Sequence, residues 1–139
     1  MKAKDYLQQV QKIDNLIENK LAEKAQWKSI ALSSTAPMDG ERVQSSGSKQ
    51  KMSDAMDRVI DLEREIEEYI DRLIDTKREV IATIEQLKAT EYDLLHKIYV
   101  QNYSLDDVAA LKGKSYSWAT TVHGEALKSV QIILNSREE

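Results

Sequence analysis

No cysteine occurs in the 139-residue chain. That excludes a disulfide framework and thiolate metal or redox chemistry, and it fits a reducing interior. Phenylalanine is also absent, so a core has to be assembled from Leu, Ile, Val, Met and a few Tyr and Trp. There is one proline and there are four glycines. Two of those glycines, Gly40 and Gly47, share one stretch, and little else interrupts a helix. No apolar run approaches the roughly 20 residues of a membrane span, and the opening "MKAKDYLQQV" has no stretch of signal-peptide length. Asn102-Tyr103-Ser104 has the form of a glycosylation acceptor, which counts for little without an export signal. The expectation is an all-α cytoplasmic protein.

Charge is what the chain has in abundance, and it is unevenly spread. Residues 1–51 carry nine basic and six acidic side chains, residues 52–87 five and eleven, and residues 88–139 six and seven. The segment charges are therefore +3, −6 and −1, in keeping with the overall −4. Because the acidity is concentrated in the middle, the overall balance does not exclude a nucleic-acid contact elsewhere.

Periodicity divides the chain into three pieces. In the first, Leu7, Val10, Ile13, Ile17 and Leu21 recur at three- and four-residue steps, widened by Leu16 and Trp27; this predicts an amphipathic helix over about residues 4–32. A loop is predicted over residues 33–52, where the only proline, two glycines and six Ser or Thr gather. Gly40, Gly47 and Lys49 invite comparison with a phosphate loop, but the glycine-lysine spacing is wrong and no strand precedes them. The second piece opens at a predicted N-cap, Ser53. Met52, Ala55, Val59, Leu62, Ile66, Tyr69, Leu73, Val80 and Leu87 then follow a seven-residue, coiled-coil rhythm. Met56, Ile60, Ile70, Ile74, Ile81 and Ile84 broaden this stripe beyond what one partner helix covers. Helix one folding back as an antiparallel hairpin supplies one partner, and a second subunit is the natural candidate for the rest. The acidic residues Glu63, Glu65, Glu67, Glu68, Asp71 and Asp75 read as a solvated face or as a contact surface for a basic partner.

The third piece holds several short helical signals. Thr90 with Asp93, and Ser104 with Asp107, have capping-box spacing. Leu94, Leu95, Ile98 and Tyr99 mark a short helix. Gly113 stands where a tight turn needs a positive φ, and Ser115 can cap a last helix carrying Ala119, Val122, Ala126, Leu127, Val130 and Ile133. Ala109 followed four residues later by Gly113 is what closely crossing helices in a helix-turn-helix require. Val108, Ala119 and Val122 fall where the second helix must be plugged in. One face of that helix is left free to enter a major groove near its N-terminus, and it carries Tyr116, Ser117, Thr120 and Thr121, with Gly124 one turn on. The hydroxyls suit base edges or phosphates, and the threonine methyls suit thymine. Lys112, Lys114 and Lys128 flank this face and suit phosphates, and Glu125 is the single acid between Val108 and Leu134. Ser115 and Trp118 complete the candidate DNA-contact set; Trp118 either stacks on the nucleic acid or packs on the preceding helix. The alternative is a helical hairpin that touches no DNA.

No nucleophile–base pair is encoded locally, so an enzyme is not expected, nor a cofactor or a metal. Asp93 and His96 can share a helix side without completing a ligand set, and His123 reads as a partly buried, hydrogen-bonded side chain.

The segment "YDLLHKIYVQNYSLDDVAALKGKSYSWATTVHGEALKSV" resembles the C-terminal half of the ArpU/RinA-type phage regulators, a group with a sigma-70 region-4-like helix-turn-helix. "KDYLQQVQKIDNLIENK", "STAPMDGERVQSSGS" and "DLEREIEEYIDRLIDTKREVI" extend the likeness over nearly the whole chain. The resemblance implies a phage-encoded activator of late packaging and lysis genes, working in the host cytoplasm. On this reading residues 1–89 form a long helical hairpin for oligomerisation or partner contact, and residues 90–139 a DNA-binding unit. The expected partners are double-stranded DNA, RNA polymerase and a second copy of the chain. A small terminase subunit recognising packaging-site DNA and a helical adaptor without DNA binding are the alternatives.

Overall fold

The computed structural model describes residues 1–35 and 46–138, and the fold is all-α, with no strand among the described residues. The helices are α1 (Ala3–Thr35), α2 (Ser46–Ile84), α3 (Ala89–Leu95), which continues as a π-helical segment His96–Val100, α4 (Leu105–Lys112) and α5 (Tyr116–Arg137). No helix among the described residues is long and apolar enough to cross a membrane.

The two long helices intrude on both ends of the expected loop 33–52. α1 continues through Thr35 and α2 begins at Ser46, while positions 36–45, Gly40 included, lie outside the described residues. Ser53 is therefore interior to α2 and is not its N-cap; Gly47 and Lys49 are exposed helical positions. Ser and Gly in a helix cost up to about 1 kcal/mol each relative to Ala, and no proline follows position 45 to stop the helix. α2 accordingly starts well before its apolar stripe.

The chain forms two compact units: Asn15–Asp71, and Met1–Asp14 together with the chain from Arg72 onward. In the Asn15–Asp71 unit, Ile17 and Ala31 of α1 and Ala55, Val59, Leu62 and Ile66 of α2 are buried, so the predicted seven-residue rhythm of α2 is the buried seam. Leu16 and Leu21, expected on the inner stripe of α1, are instead exposed, and Trp27 is half-buried. The two helices run antiparallel here: Lys20 pairs with Glu65 at 3.0 Å, Glu23 with Arg58 at 2.9 Å, and Lys24 with Glu63 at 3.2 Å. Two of the acids expected on a solvated face, Glu63 and Glu65, thus bind cations of α1. Met56, Ile60 and Ile70 remain 42%, 49% and 41% exposed.

The other unit is organised differently from a free-standing domain beginning at residue 90. Its apolar core combines Tyr6, Leu7 and Val10 of α1 and Val80 and Ile84 of α2 with Leu94, Leu95 and Tyr99, Val108, and Ala119, Ala126 and Val130 of α5. Polar groups fix the same joints. The buried Thr83 hydroxyl donates to the Glu79 carbonyl at 3.0 Å, accepts from Arg137 Nη2 at 2.8 Å, and meets the Tyr6 hydroxyl at 2.9 Å. Gln131 Oε1 accepts from the Ala3 amide at 2.8 Å, and Gln11 Nε2 donates to the Ile98 carbonyl at 2.9 Å. Buried polar groups satisfied in this way specify one packing, because any misfit leaves donors unpaired.

Tyr99 and His123 stack with ring centroids 5.8 Å apart, and the Tyr99 hydroxyl lies 2.7 Å from His123 Nε2. This is the hydrogen-bonded histidine expected from sequence. Burial pushes the Tyr99 hydroxyl up to about 12. Burial, with the Lys4 ammonium, holds the His123 imidazole below its ordinary value, so near neutral pH the folded chain keeps a neutral ring hydrogen-bonded to Tyr99.

Two outcomes follow from this packing. Residues 88–139 expressed alone lack Tyr6, Leu7, Val10, Val80 and Ile84, and should show little helix by circular dichroism; a cooperative melt matching that of the full chain would contradict the shared core. A base whose folded-state pKa is depressed is protonated first in the unfolded chain, so the stability that His123 confers is complete above about pH 6.5 and is lost as pH falls below it. His123→Gln should flatten the fall in Tm between about pH 7.5 and pH 5.5, as read by thermal melts at each pH.

Candidate functional site

The segment from Ser104 to Arg137 forms helix, turn and helix, with a serine capping the start of each helix and a glycine at the turn. Ser104 caps α4: its Oγ accepts from the Asp107 amide at 3.1 Å, while Asp107 Oδ2 accepts from the Ser104 amide at 3.0 Å. The Ser104 amide and hydroxyl together hold the Asp107 carboxyl below the usual carboxylate range. α4 ends at Gly113, whose φ of 64° and ψ of 33° are left-handed; a side chain there would be strained even though open space surrounds it. The Lys114 amide then closes on the Ala109 carbonyl at 2.9 Å. Ser115 caps α5 by accepting from the Trp118 amide at 3.0 Å. Val108, Ala109, Ala119 and Val122 are all buried, as the crossing requires.

The other expected capping box is not formed. α3 is preceded by Lys88, which makes no side-chain cap, so Thr90 lies inside the helix and Asp93 is drawn elsewhere. Asp93 Oδ1 takes Lys97 Nζ at 2.6 Å, one helical turn on, and Asp93 Oδ2 takes Lys112 Nζ. Burial raises the Asp93 carboxyl, but the two ammonium groups outweigh this and hold it below its ordinary value. Lys112 is therefore a strut pinning the end of α4 to α3, in contrast to the free phosphate contact its sequence position suggested. His96 bonds Gln101 at 2.8 Å and takes no part with Asp93, and no cluster of metal-ligating side chains is present among the described residues.

The remaining candidates lie at the start of α5, except Lys128, which is about three turns further along the helix. Lys114, Ser115, Tyr116, Ser117, Thr120, Thr121 and Lys128 are exposed, and Trp118 is half-buried. Lys114 and Lys128 make no ion pair with the described residues. Thr120 Oγ1 donates to the Tyr116 carbonyl at 2.8 Å, so its proton is committed and it offers a ligand two lone pairs and a methyl group. Ser115 has the reverse bias: its lone pair takes the Trp118 amide and its proton is free. Gly124 lies on α5 with open space where a Cβ would stand, so nothing within the chain requires a glycine there.

Three anchors of this site were not read from sequence. Glu91 is buried and accepts from the Ser129 hydroxyl at 3.2 Å, joining α3 to α5. Asp93 fastens α4, and Arg137 fastens the end of α5 to Thr83. The Asp93–Lys97 spacing was a local signal; the other partners are distant in sequence.

Asp93→Asn leaves Lys97 and Lys112 without their counter-charge and should destabilise the chain by about 1–3 kcal/mol at neutral pH. A carboxyl whose folded-state pKa is lowered contributes fully above its unfolded value, near 3.9, and loses that contribution as pH falls through the folded value. The gap between wild type and variant should thus persist to about pH 4 and close below it, as read by urea melts across pH.

Comparison with family models, with curated proteins and with solved structures finds no match to this chain.

Proposed function

We propose that the chain is a sequence-specific DNA-binding transcriptional activator, with the first turns of α5 lying in the major groove. The observation that carries this reading is the exposed row Ser117, Thr120 and Thr121, presented at the start of a long helix behind a turn whose geometry is fixed by Gly113, Ser115 and Asp93. Such a row is polar and uncharged, and its hydroxyls and methyl groups suit base edges between phosphates. Lys114 and Lys128 supply the phosphate contacts. With Lys112 held by Asp93, each motif neutralises few phosphates, so non-specific binding is weak and its salt dependence shallow.

Activation on this reading is recruitment without chemistry: α5 holds promoter DNA while another surface meets RNA polymerase. The resemblance to ArpU/RinA-type regulators supports late phage genes as the target and the host cytoplasm as the place of action. Weak single motifs favour a dimer, since a second motif then binds at high effective concentration. The exposed Met56, Ile60 and Ile70 are the apolar surface available for pairing. Two half-sites about 34 Å apart, or a multiple of that, are then expected.

Selection of duplexes from a random pool at about 100 mM salt tests the reading. The expected result is a two-part consensus. Ser117→Ala or Thr120→Ala should shift preference at particular base pairs by about 1–3 kcal/mol with unchanged melting, and charge reversal at Lys114 or Lys128 should weaken all sequences alike. Recovery of a random pool would count against DNA recognition, and wild-type preference in an alanine variant would remove that residue from the reading set.

A further inference from the structure

A cleft of about 440 Å³ opens beside the turn, between α3, the end of α4 and the start of α5. Its lining is of two kinds. Leu94 and Val108 lie behind the cleft, almost fully buried, while the exposed Ala89 and the half-buried Trp118 offer apolar surface. Lys112 and Lys114, both exposed, line it too, together with the partly buried Asp93.

The charged side chains at and beside the cleft sum to a positive charge. Asp93 is shared by Lys97 and Lys112, so its single negative charge faces two cations, and Lys114 adds a third that makes no ion pair with the described residues. A volume in this range accommodates a molecule of one or two rings, within the roughly 300–1,000 Å³ usual for small-molecule sites. An inorganic anion leaves the indole unused. A neutral ring leaves the excess positive charge unanswered.

We propose that this cleft is a binding site for a small aromatic carboxylate, its ring on Trp118 beside Ala89 and its carboxylate on Lys114, with Lys112 alongside. Ring stacking supplies the apolar contact, and the carboxylate makes a charge-assisted hydrogen bond to the ammonium. For a ligand of about ten heavy atoms the expected Kd is on the order of 0.1–1 mM. Occupancy competes with a phosphate for Lys114, a consequence that rests on the DNA reading; the site itself does not.

The chain has two tryptophans, so Trp27→Phe leaves Trp118 as the one indole reporter. Phenylacetate is titrated into the full chain without DNA, and emission is excited at a wavelength where the ligand does not absorb. The expected result is a saturable change, at least fivefold tighter than for 2-phenylethanol or for inorganic phosphate. Lys114→Gln should weaken it at least fivefold. So should Ala89→Phe, which fills the cleft from an exposed lining position away from the hydroxyl row, with circular dichroism reporting that each variant is folded. No saturable change up to about tenfold above the expected Kd overturns the site. Equal binding of 2-phenylethanol, equal binding of phosphate, or undiminished binding by Ala89→Phe overturns it as well. Because DNA is absent, these outcomes are separate from those of the duplex selection.

Discussion

The structure around the turn depends on one constraint: α3, α4 and the start of α5 are too short to bury a core among themselves. α3 and α4 have seven and eight residues, and isolated helices of that length are marginal in water. Their apolar side chains become a core only because Tyr6, Leu7 and Val10 arrive from the start of α1 and Val80 and Ile84 from the end of α2. The Thr83–Tyr6–Arg137 hydrogen bonds then make that meeting specific, tying residues 77 and 54 positions apart. The exposed face of α5 is consequently borne on a rigid platform, which a reading surface needs if one misplaced side chain is to matter.

Local chemistry was the legible part of the fold. The three- and four-residue alternation from Ala55 to Ile66 marked the buried seam of α2, because a helix must present its apolar positions to one side. Gly113, Ser104 and Ser115 marked a turn and two caps, because positive φ and unsatisfied amides each call for a narrow choice of residue. Thr90 carried the same signal and misled: Asp93, needed to close that box, finds two ammonium groups and binds them instead. The start of α2 at Ser46 was likewise hidden, since Ser and Gly resemble loop residues and lower helix propensity only modestly. Contacts between distant positions were the illegible part, and they decide that the C-terminal helices share their core with Met1–Asp14.

Charge acts by location. Acids of α2 such as Glu63 and Glu65 are occupied by Lys24, Lys20 and Arg58, while the first turn of α5 carries no acid. On the proposed reading, the loss of Lys112 to Asp93 leaves recognition to hydroxyls, methyl groups and two lysines. A surface of that kind would depend on fit to a sequence more than on general attraction to DNA, as the proposed regulator requires.

The most direct measurement is amide mapping by nuclear magnetic resonance as a selected duplex is added to isotope-labelled full-length chain at two salt concentrations. The expected result is that the largest changes fall on Lys114, Ser117, Thr120 and Thr121, with those of Asp61 and Glu68 on α2 unchanged, and that they fade as salt rises. Changes confined to α2, or none at a duplex concentration that saturates other DNA-binding proteins of this size, would contradict recognition by α5.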